Sequence, residues 1–123
     1  MTMKHLLLAV AGMAPAPALA ASFDCAITQQ CGGGTCEAFD GGPMLVQEAG
    51  DVWQVSLAGQ SWEGYSTTTL VAGDEVSIVI PPQNGMSGLI SIYPTGEVSF
   101  TVHAYGDAAV AITGSGTCAG EGG

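Results

Sequence analysis

Residues 97–105 read Glu-Val-Ser-Phe-Thr-Val-His-Ala-Tyr, and this stretch decides the predicted fold. Successive side chains of a β-strand point to opposite faces of a sheet, so alternation of apolar and polar residues indicates a strand with one buried face. The predicted buried face consists of Val98, Phe100, Val102 and Ala104, and the predicted exposed face consists of Ser99, Thr101, His103 and Tyr105. Such a strand needs neighbouring strands that continue the core on the same side.

The chain on either side of this stretch contains further short runs of the same kind, separated by glycine-rich turns. Pro81 and Pro82 are assigned to a loop, because proline cannot donate a hydrogen bond within a central strand. Residues 24–31 are expected to form at most one helical turn. Strands about 8–12 residues apart predict an all-β fold, a small antiparallel β-sandwich or barrel stapled by two disulfides. The predicted strands cover residues 44–48, 52–57, 62–65, 67–71, 75–80, 89–93 and 108–113.

The first 20 residues show the three parts of a secretory signal peptide. Lys4 lies in a short polar start, residues 6–13 form an apolar run too short to cross a bilayer, and an Ala-x-Ala pattern ends at Ala20. Cleavage there predicts a single β-rich domain over residues 21–118, followed by a flexible tail over residues 119–123. The expected location is periplasmic or secreted, with no membrane insertion after cleavage of the signal peptide.

Four cysteines follow the predicted signal peptide. An even number in an oxidising compartment predicts two disulfides and disfavours a zinc site, since His103 is the sole histidine of the exported part. Four cysteines leave three possible pairings. We favour Cys31–Cys36, because the intervening glycines allow a tight ring, and this choice leaves Cys25–Cys118 as the second bond.

Acidic residues dominate the charge of the chain: Asp and Glu number 11, Lys and Arg together number 1, and the net charge is −10. Lys4 is the single Lys or Arg residue, and it is removed with the predicted signal peptide. A domain without Lys or Arg cannot neutralise phosphates, which excludes nucleic acid as an ordinary partner. The charge favours a basic protein as the partner, or serves only to keep the domain dissolved in salty water.

Catalytic chemistry has few candidate residues. His103 and Asp107 lie close in sequence, but the Gly-x-Ser-x-Gly turn of serine hydrolases does not occur, so no catalytic residue is assigned and no enzyme is expected. No cofactor is expected either. Calcium is the alternative considered, because Asp40 and the Asp74-Glu75 pair adjoin flexible glycines, as sites built from oxygen ligands require.

The aromatic residues supply the best candidate for a recognition surface. Trp53 alternates with Val55 and is assigned to the core. Trp62 and Tyr65 flank a less regular stretch, and with Glu63 they form the predicted recognition patch, because aromatics beside carboxylates stack sugars or bind basic groups.

In its layout the chain resembles small secreted β-rich proteins of alphaproteobacteria. The shared features are the early cysteines Cys25, Cys31 and Cys36, a β-meander in the middle and a closing Gly116-Thr117-Cys118. This resemblance implies export and a β-rich fold, and it carries no known activity to any residue of this chain. The chain is also similar in architecture to periplasmic lysozyme inhibitors, which are small disulfide-bonded barrels acting on a cationic enzyme, although no inhibitor motif aligns.

Three functional hypotheses follow from charge, size and the lack of a catalytic constellation. The first is an exported acidic binding module without catalytic activity, directed at a basic protein. The second is a structural or envelope-associated secreted protein whose acidity keeps it soluble. The third is a protein that acts as the periplasmic lysozyme inhibitors do.

Overall fold

The computed structural model describes residues 21–66 and 75–121. Within these residues the chain forms nine β-strands and no helix, so the all-β prediction is confirmed. No helix of the described part is long and apolar enough to span a bilayer. The strands are β1 (Ser22–Gly32), β2 (Thr35–Ala38), β3 (Met44–Ala49), β4 (Val52–Leu57), β5 (Gln60–Ser66), β6 (Val76–Gln83), β7 (Met86–Ile92), β8 (Glu97–Tyr105) and β9 (Ala109–Glu121).

Eight of the strands close into an antiparallel barrel, which decides between the predicted sandwich and barrel. Strands β3 to β9 pair in chain order, and β9 returns to pair with β1 over nearly its whole length. The first part of β1, Ser22–Cys25, also pairs with β3, whereas its last part, Gln29–Gly32, pairs with β2. Strand β2 is therefore a short extension outside the closed ring.

Tight hairpins connect several strands of the barrel in the described part of the chain. The β6–β7 turn at Asn84-Gly85 has positive φ at both residues, 51° and 78°, and the β4–β5 turn at Ala58-Gly59 has 52° and 79°. Two-residue turns of this hand match the right-handed twist of the strands that they join. The chain thus reverses direction without long loops at this side of the barrel.

Both disulfides join residues that lie directly opposite each other on antiparallel strands. Cys25 on β1 faces Cys118 on β9, with Cα atoms 3.9 Å apart, and Cys31 on β1 faces Cys36 on β2, with Cα atoms 4.0 Å apart. The favoured pairing is confirmed. The Cys25–Cys118 bond links the first and last strands, so it covalently closes the barrel.

The interior of the barrel is apolar, and the alternation predicted for residues 97–105 is confirmed where Val98 and Phe100 are buried. Among the described residues no polar or charged side chain is buried. A Cβ at Gly114 would overlap the ring of Phe100, so this glycine makes room for the aromatic side chain. The other buried apolar residues among those described are Ala21, Cys25, Ile27, Met44, Val46, Trp53, Val55, Val76, Ile78, Ile80, Ile90 and Ile92.

The loop predicted at Pro81 and Pro82 is wrong, because β6 continues through both prolines to Gln83. The pairing of β6 with β7 shifts between Ile80 and Gln83, and residues at such a bulge do not need a backbone N–H. The side chain of Gln83 takes over the contact to β5: its amide nitrogen donates to the Glu63 carbonyl over 2.7 Å, and its amide oxygen accepts from the Glu63 N–H over 3.1 Å.

Two further predictions are corrected. Residues 24–31 form strand and no helical turn, because β1 has pairing partners along both of its edges. Ala119–Glu121, which were assigned to the flexible tail, continue β9 and pair with Asp24, Phe23 and Ser22. The predicted signal peptide, the predicted strand over residues 67–71 and the last two residues of the predicted tail lie outside the described residues.

Candidate functional site

The barrel has two different ends. We call the end with the β3–β4 and β7–β8 turns the closed end, because four inward-facing side chains near it are at most 3% exposed, although Phe23 beside them is only partly buried. We call the end with the β4–β5, β6–β7 and β8–β9 turns the open end, because its inward-facing side chains remain partly exposed. The closed-end residues are Trp53, Val76, Ile92 and Val98, and the open-end residues are Leu57, Trp62, Met86, Val102 and Val110.

Two neighbouring depressions along β6 to β9 meet near the open end, where the inward-facing Met86, Ala104 and Val110 also line one of them. Their volumes are about 570 Å³ and about 560 Å³, each within the usual size range of ligand sites. We call the combined surface the His103 groove, because His103, Ser87 and Pro82 line both depressions. The residues that define this groove are Pro82, Ser87, Leu89, Thr101, His103 and Tyr105.

Strand register brings the side chains of the His103 groove together. Ser87 on β7 pairs with His103 on β8, and Leu89 pairs with Thr101 in the next outward-facing row. Leu89 is 45% exposed and Tyr105 is 71% exposed, so the groove presents a large aliphatic and a large aromatic side chain to solvent. Exposed apolar surface of this kind, gathered in a concave region, is typical of an interaction site.

Charge is distributed around the His103 groove and not within it. None of the described residues that line the groove is a carboxylate. Glu63 lies on β5, tied to β6 through Gln83, and Asp107 lies in the turn between β8 and β9. The groove is therefore a surface without carboxylates on a strongly acidic domain, with exposed carboxylates on neighbouring elements.

The predicted recognition patch is divided by the barrel wall. Trp62 faces inward and packs against the core, whereas Glu63 and Tyr65 face outward on the same strand. Tyr65 pairs with Val79, which in turn pairs with Leu89, so three exposed apolar side chains form one row across β5, β6 and β7. The structure thus connects Tyr65 to the edge of the His103 groove and separates it from Trp62.

The candidate metal ligands do not assemble in the described part of the chain. No group of three or more His, Cys, Asp or Glu side chains there is arranged to hold a metal ion. Asp40 follows β2, Glu75 precedes β6, and Asp74 lies outside the described residues. All four cysteines are in disulfides, so none of them is a free thiol.

Sequence reasoning identified part of the groove and missed the rest. The alternation in β8 correctly placed Thr101, His103 and Tyr105 on one outward face. Ser87 was missed, because it lies before the strand predicted over residues 89–93, and Pro82 was missed because it was assigned to a loop. Comparisons with protein-family models, with curated proteins and with solved structures found no match.

Proposed function

We propose that this protein is an exported, acidic binding module without catalytic activity, and that it holds a basic protein through the His103 groove. The observation that carries this proposal is a largely apolar groove without carboxylates on a chain of net charge −10. Stable interfaces have an apolar centre and a polar rim. An apolar anchor of the partner would fill the groove, and its basic residues would meet the surrounding carboxylates.

The chemistry of the exported domain supports a basic partner over an acidic one. No Lys or Arg follows Lys4 in the sequence, so an acidic surface would meet only repulsion. Complementary charge accelerates association and makes it sensitive to salt. The nearest functional analogy is the action of small disulfide-bonded barrels on cationic lysozymes, which makes a cationic cell-wall hydrolase the first partner to test.

The two disulfides support the proposal that the protein is exported. Two disulfides in a small β-domain are consistent with an oxidising, extracytoplasmic location. Together with the signal-peptide pattern of the first 20 residues, they favour the periplasm or the exterior of the cell.

The proposal is tested by binding measurements with the oxidised protein. A cationic lysozyme and an acidic protein of similar size are compared at about 50 mM and about 500 mM salt, because screening shortens the range of charge interactions. We expect stoichiometric binding of a basic protein at low salt and loss at high salt. Envelope and culture-medium proteins captured in the same way extend the search if lysozyme does not bind.

Two exposed tyrosines provide a matched pair of variants. Tyr105 lies in the His103 groove and Tyr93 lies in the β7–β8 turn at the closed end. Tyr105→Ser should weaken binding by about tenfold or more, as loss of an aromatic anchor does, whereas Tyr93→Ser should change it little. Equal effects of the two variants would place the interface elsewhere. No basic partner at either salt would overturn the proposal and favour a structural role.

A further inference from the structure

The open end of the barrel exposes inward-facing side chains that would otherwise belong to the core. Val110 pairs with Ala104 on the inner side of the barrel, yet it remains 46% exposed. Leu57, Trp62 and Val102 face the same interior and are only partly buried. The apolar interior is therefore continuous with solvent-accessible apolar surface at this end.

A cavity of about 40 Å³ lies just inside these side chains. Its described lining is almost entirely aliphatic, aromatic or thioether in character, with Leu57, Trp62, Met86 and Val102 among the lining residues. A site without polar partners does not hold ordered water, since a buried water needs about 2–4 hydrogen-bonding groups. The space has room for only a few non-hydrogen atoms, such as the end of an apolar molecule whose remainder lies outside the cavity.

We infer that the open end of the barrel is a binding site for a small apolar molecule or a hydrocarbon chain that is uncharged or cationic. The innermost atoms occupy the cavity, and the remainder lies against Trp62, Met86 and Val110 at the mouth. Methionine has three rotatable bonds and a polarisable sulfur, which allows Met86 to adjust to the shape of a ligand. Barrels of eight strands have an interior just wide enough to be filled by side chains or to hold one small ligand.

Beside this cavity the described backbone pairing between two strands of the barrel wall is short. Strands β5 and β6 share only two described ladder pairs, Tyr65 with Val79 and Ser66 with Ile78. Nearer the open end, the Gln83 side chain bridges the two strands in place of backbone pairing. Trp62 and Ile80, which lie on opposite sides of this seam, both line the cavity. The seam gives the site room to widen when a ligand binds.

Charge sets the selectivity of the site. The exported domain offers no Lys or Arg to pair with a carboxylate head group, and its net charge repels anions. A fatty acid is therefore a poor ligand. A neutral alcohol or an alkylammonium ion with the same chain meets no such repulsion at the mouth.

The inference is tested by titrating the oxidised protein with N-phenylnaphthylamine, an uncharged apolar dye that becomes fluorescent in apolar sites. We expect saturable binding of one dye per protein. Dodecanol and dodecyltrimethylammonium, each below its micelle concentration, should displace the dye at least about tenfold more effectively than dodecanoate. Absence of saturable dye binding would overturn the inference, and equal displacement by dodecanoate would overturn its charge selectivity.

Adjacent residues of β8 provide the matched variants, because they point to opposite sides of the wall. Val102→Phe places a ring in the cavity and should weaken dye binding by about tenfold or more. Thr101→Phe places the same ring on the outer face, in the His103 groove, and should leave dye binding unchanged while altering the binding of a basic protein. Leu57→Phe places a ring in the same cavity from β4, and it replaces Val102→Phe in the test if the Val102 variant does not fold. If a folded variant with a filled cavity binds the dye as the unaltered protein does, the inference is overturned. The proposed binding of a basic protein does not depend on this result.

Discussion

The two tryptophans of this protein lie on neighbouring strands, both face the barrel interior, and they have different surroundings. Trp53 lies toward the closed end, is 3% exposed and stacks on Phe23 with ring centroids 6.3 Å apart. Trp62 lies toward the open end, is only partly buried and lines the small apolar cavity. Trp53 is thus part of the buried core at the closed end, whereas Trp62 borders a candidate binding site at the open end.

We expect the closed end of the barrel to contribute most of the stability and the open end to be the region that binds other molecules. At the closed end the Ala21 backbone accepts a hydrogen bond from the Glu48 N–H over 2.8 Å, and the Ala21 N–H donates to the Glu48 carboxylate over 3.2 Å. At the open end the inward-facing Val110 is 46% exposed. Residues in well-packed, enclosed regions carry most of the stability, whereas regions with partly exposed apolar side chains are where ligands and partners bind.

The largest expected effect concerns the two disulfides. Replacing Cys25 and Cys118 by Ala removes a bond between two residues with a sequence separation of 93. Because a closed loop of this length restricts the unfolded chain strongly, the free energy of unfolding should fall by about 4–5 kcal/mol. Replacing Cys31 and Cys36 opens a separation of only 5 and should cost about 2 kcal/mol. Urea unfolding of the two double variants measures the difference. Equal losses would show that barrel closure at the β1–β9 seam does not depend on the covalent link.

The next effect compares the tryptophans directly. Trp53→Ala removes a buried aromatic side chain and should lower the free energy of unfolding by about 3–5 kcal/mol. Trp62→Ala should cost clearly less, because Trp62 is already partly exposed. Thermal or urea unfolding provides the measurement. A cost for Trp62→Ala as large as that for Trp53→Ala would contradict the distinction between the two ends.

A smaller effect is expected at the seam between β5 and β6. Gln83→Ala removes the side-chain hydrogen bonds to the Glu63 backbone and should destabilise the protein by about 1–2 kcal/mol. Gln60→Ala, at the start of β5, is the control for loss of an exposed glutamine side chain. Hydrogen exchange of the Glu63 amide should accelerate in the Gln83 variant and not in the control. Unaltered exchange at Glu63 would show that the seam is held in another way.

The smallest effect concerns salt. Exposed carboxylates without Lys or Arg partners repel each other, and added salt screens this repulsion. The melting temperature should rise by roughly 2–5 °C on going from low salt to about 1 M sodium chloride. Asp51→Asn with Glu75→Gln, at the closed end, should reduce this response. Glu37→Gln with Asp40→Asn, beside the open end, is the matched double variant. A melting temperature that does not change with salt concentration in any variant would contradict repulsion between the carboxylates.

The strand predictions succeeded where the local pattern and the tertiary environment agreed. In β8 each apolar residue of the alternating run faces the interior, and β4 has the bounds that its alternation predicts. Strand β1 was missed, because its sequence from Thr28 to Gly32 is polar and glycine-rich and shows no local strand pattern. It is a strand because β9 and two other strands supply backbone partners, which no local pattern reveals.

The candidate sites were less predictable than the fold. Glu63 and Tyr65 lie on one face of β5, whereas Trp62 faces the opposite side, because successive residues of a strand point to opposite faces of the sheet. Ser87 and His103 are distant in sequence and meet only through the register of β7 and β8. The register of these two strands depends on the turn that joins them, so it could not be read from either strand alone.

The sequence by itself determined the class of this molecule. Alternating apolar residues require a β-fold with an inner and an outer face, and four cysteines after a signal-peptide pattern favour two disulfides. The absence of Lys and Arg after Lys4 determined which partners its charge repels. Only the tertiary structure decided that the sheet closes into a barrel, that one end is open, and that the His103 groove exists. These features arise from pairing between distant strands, whose side chains meet only after the chain has folded.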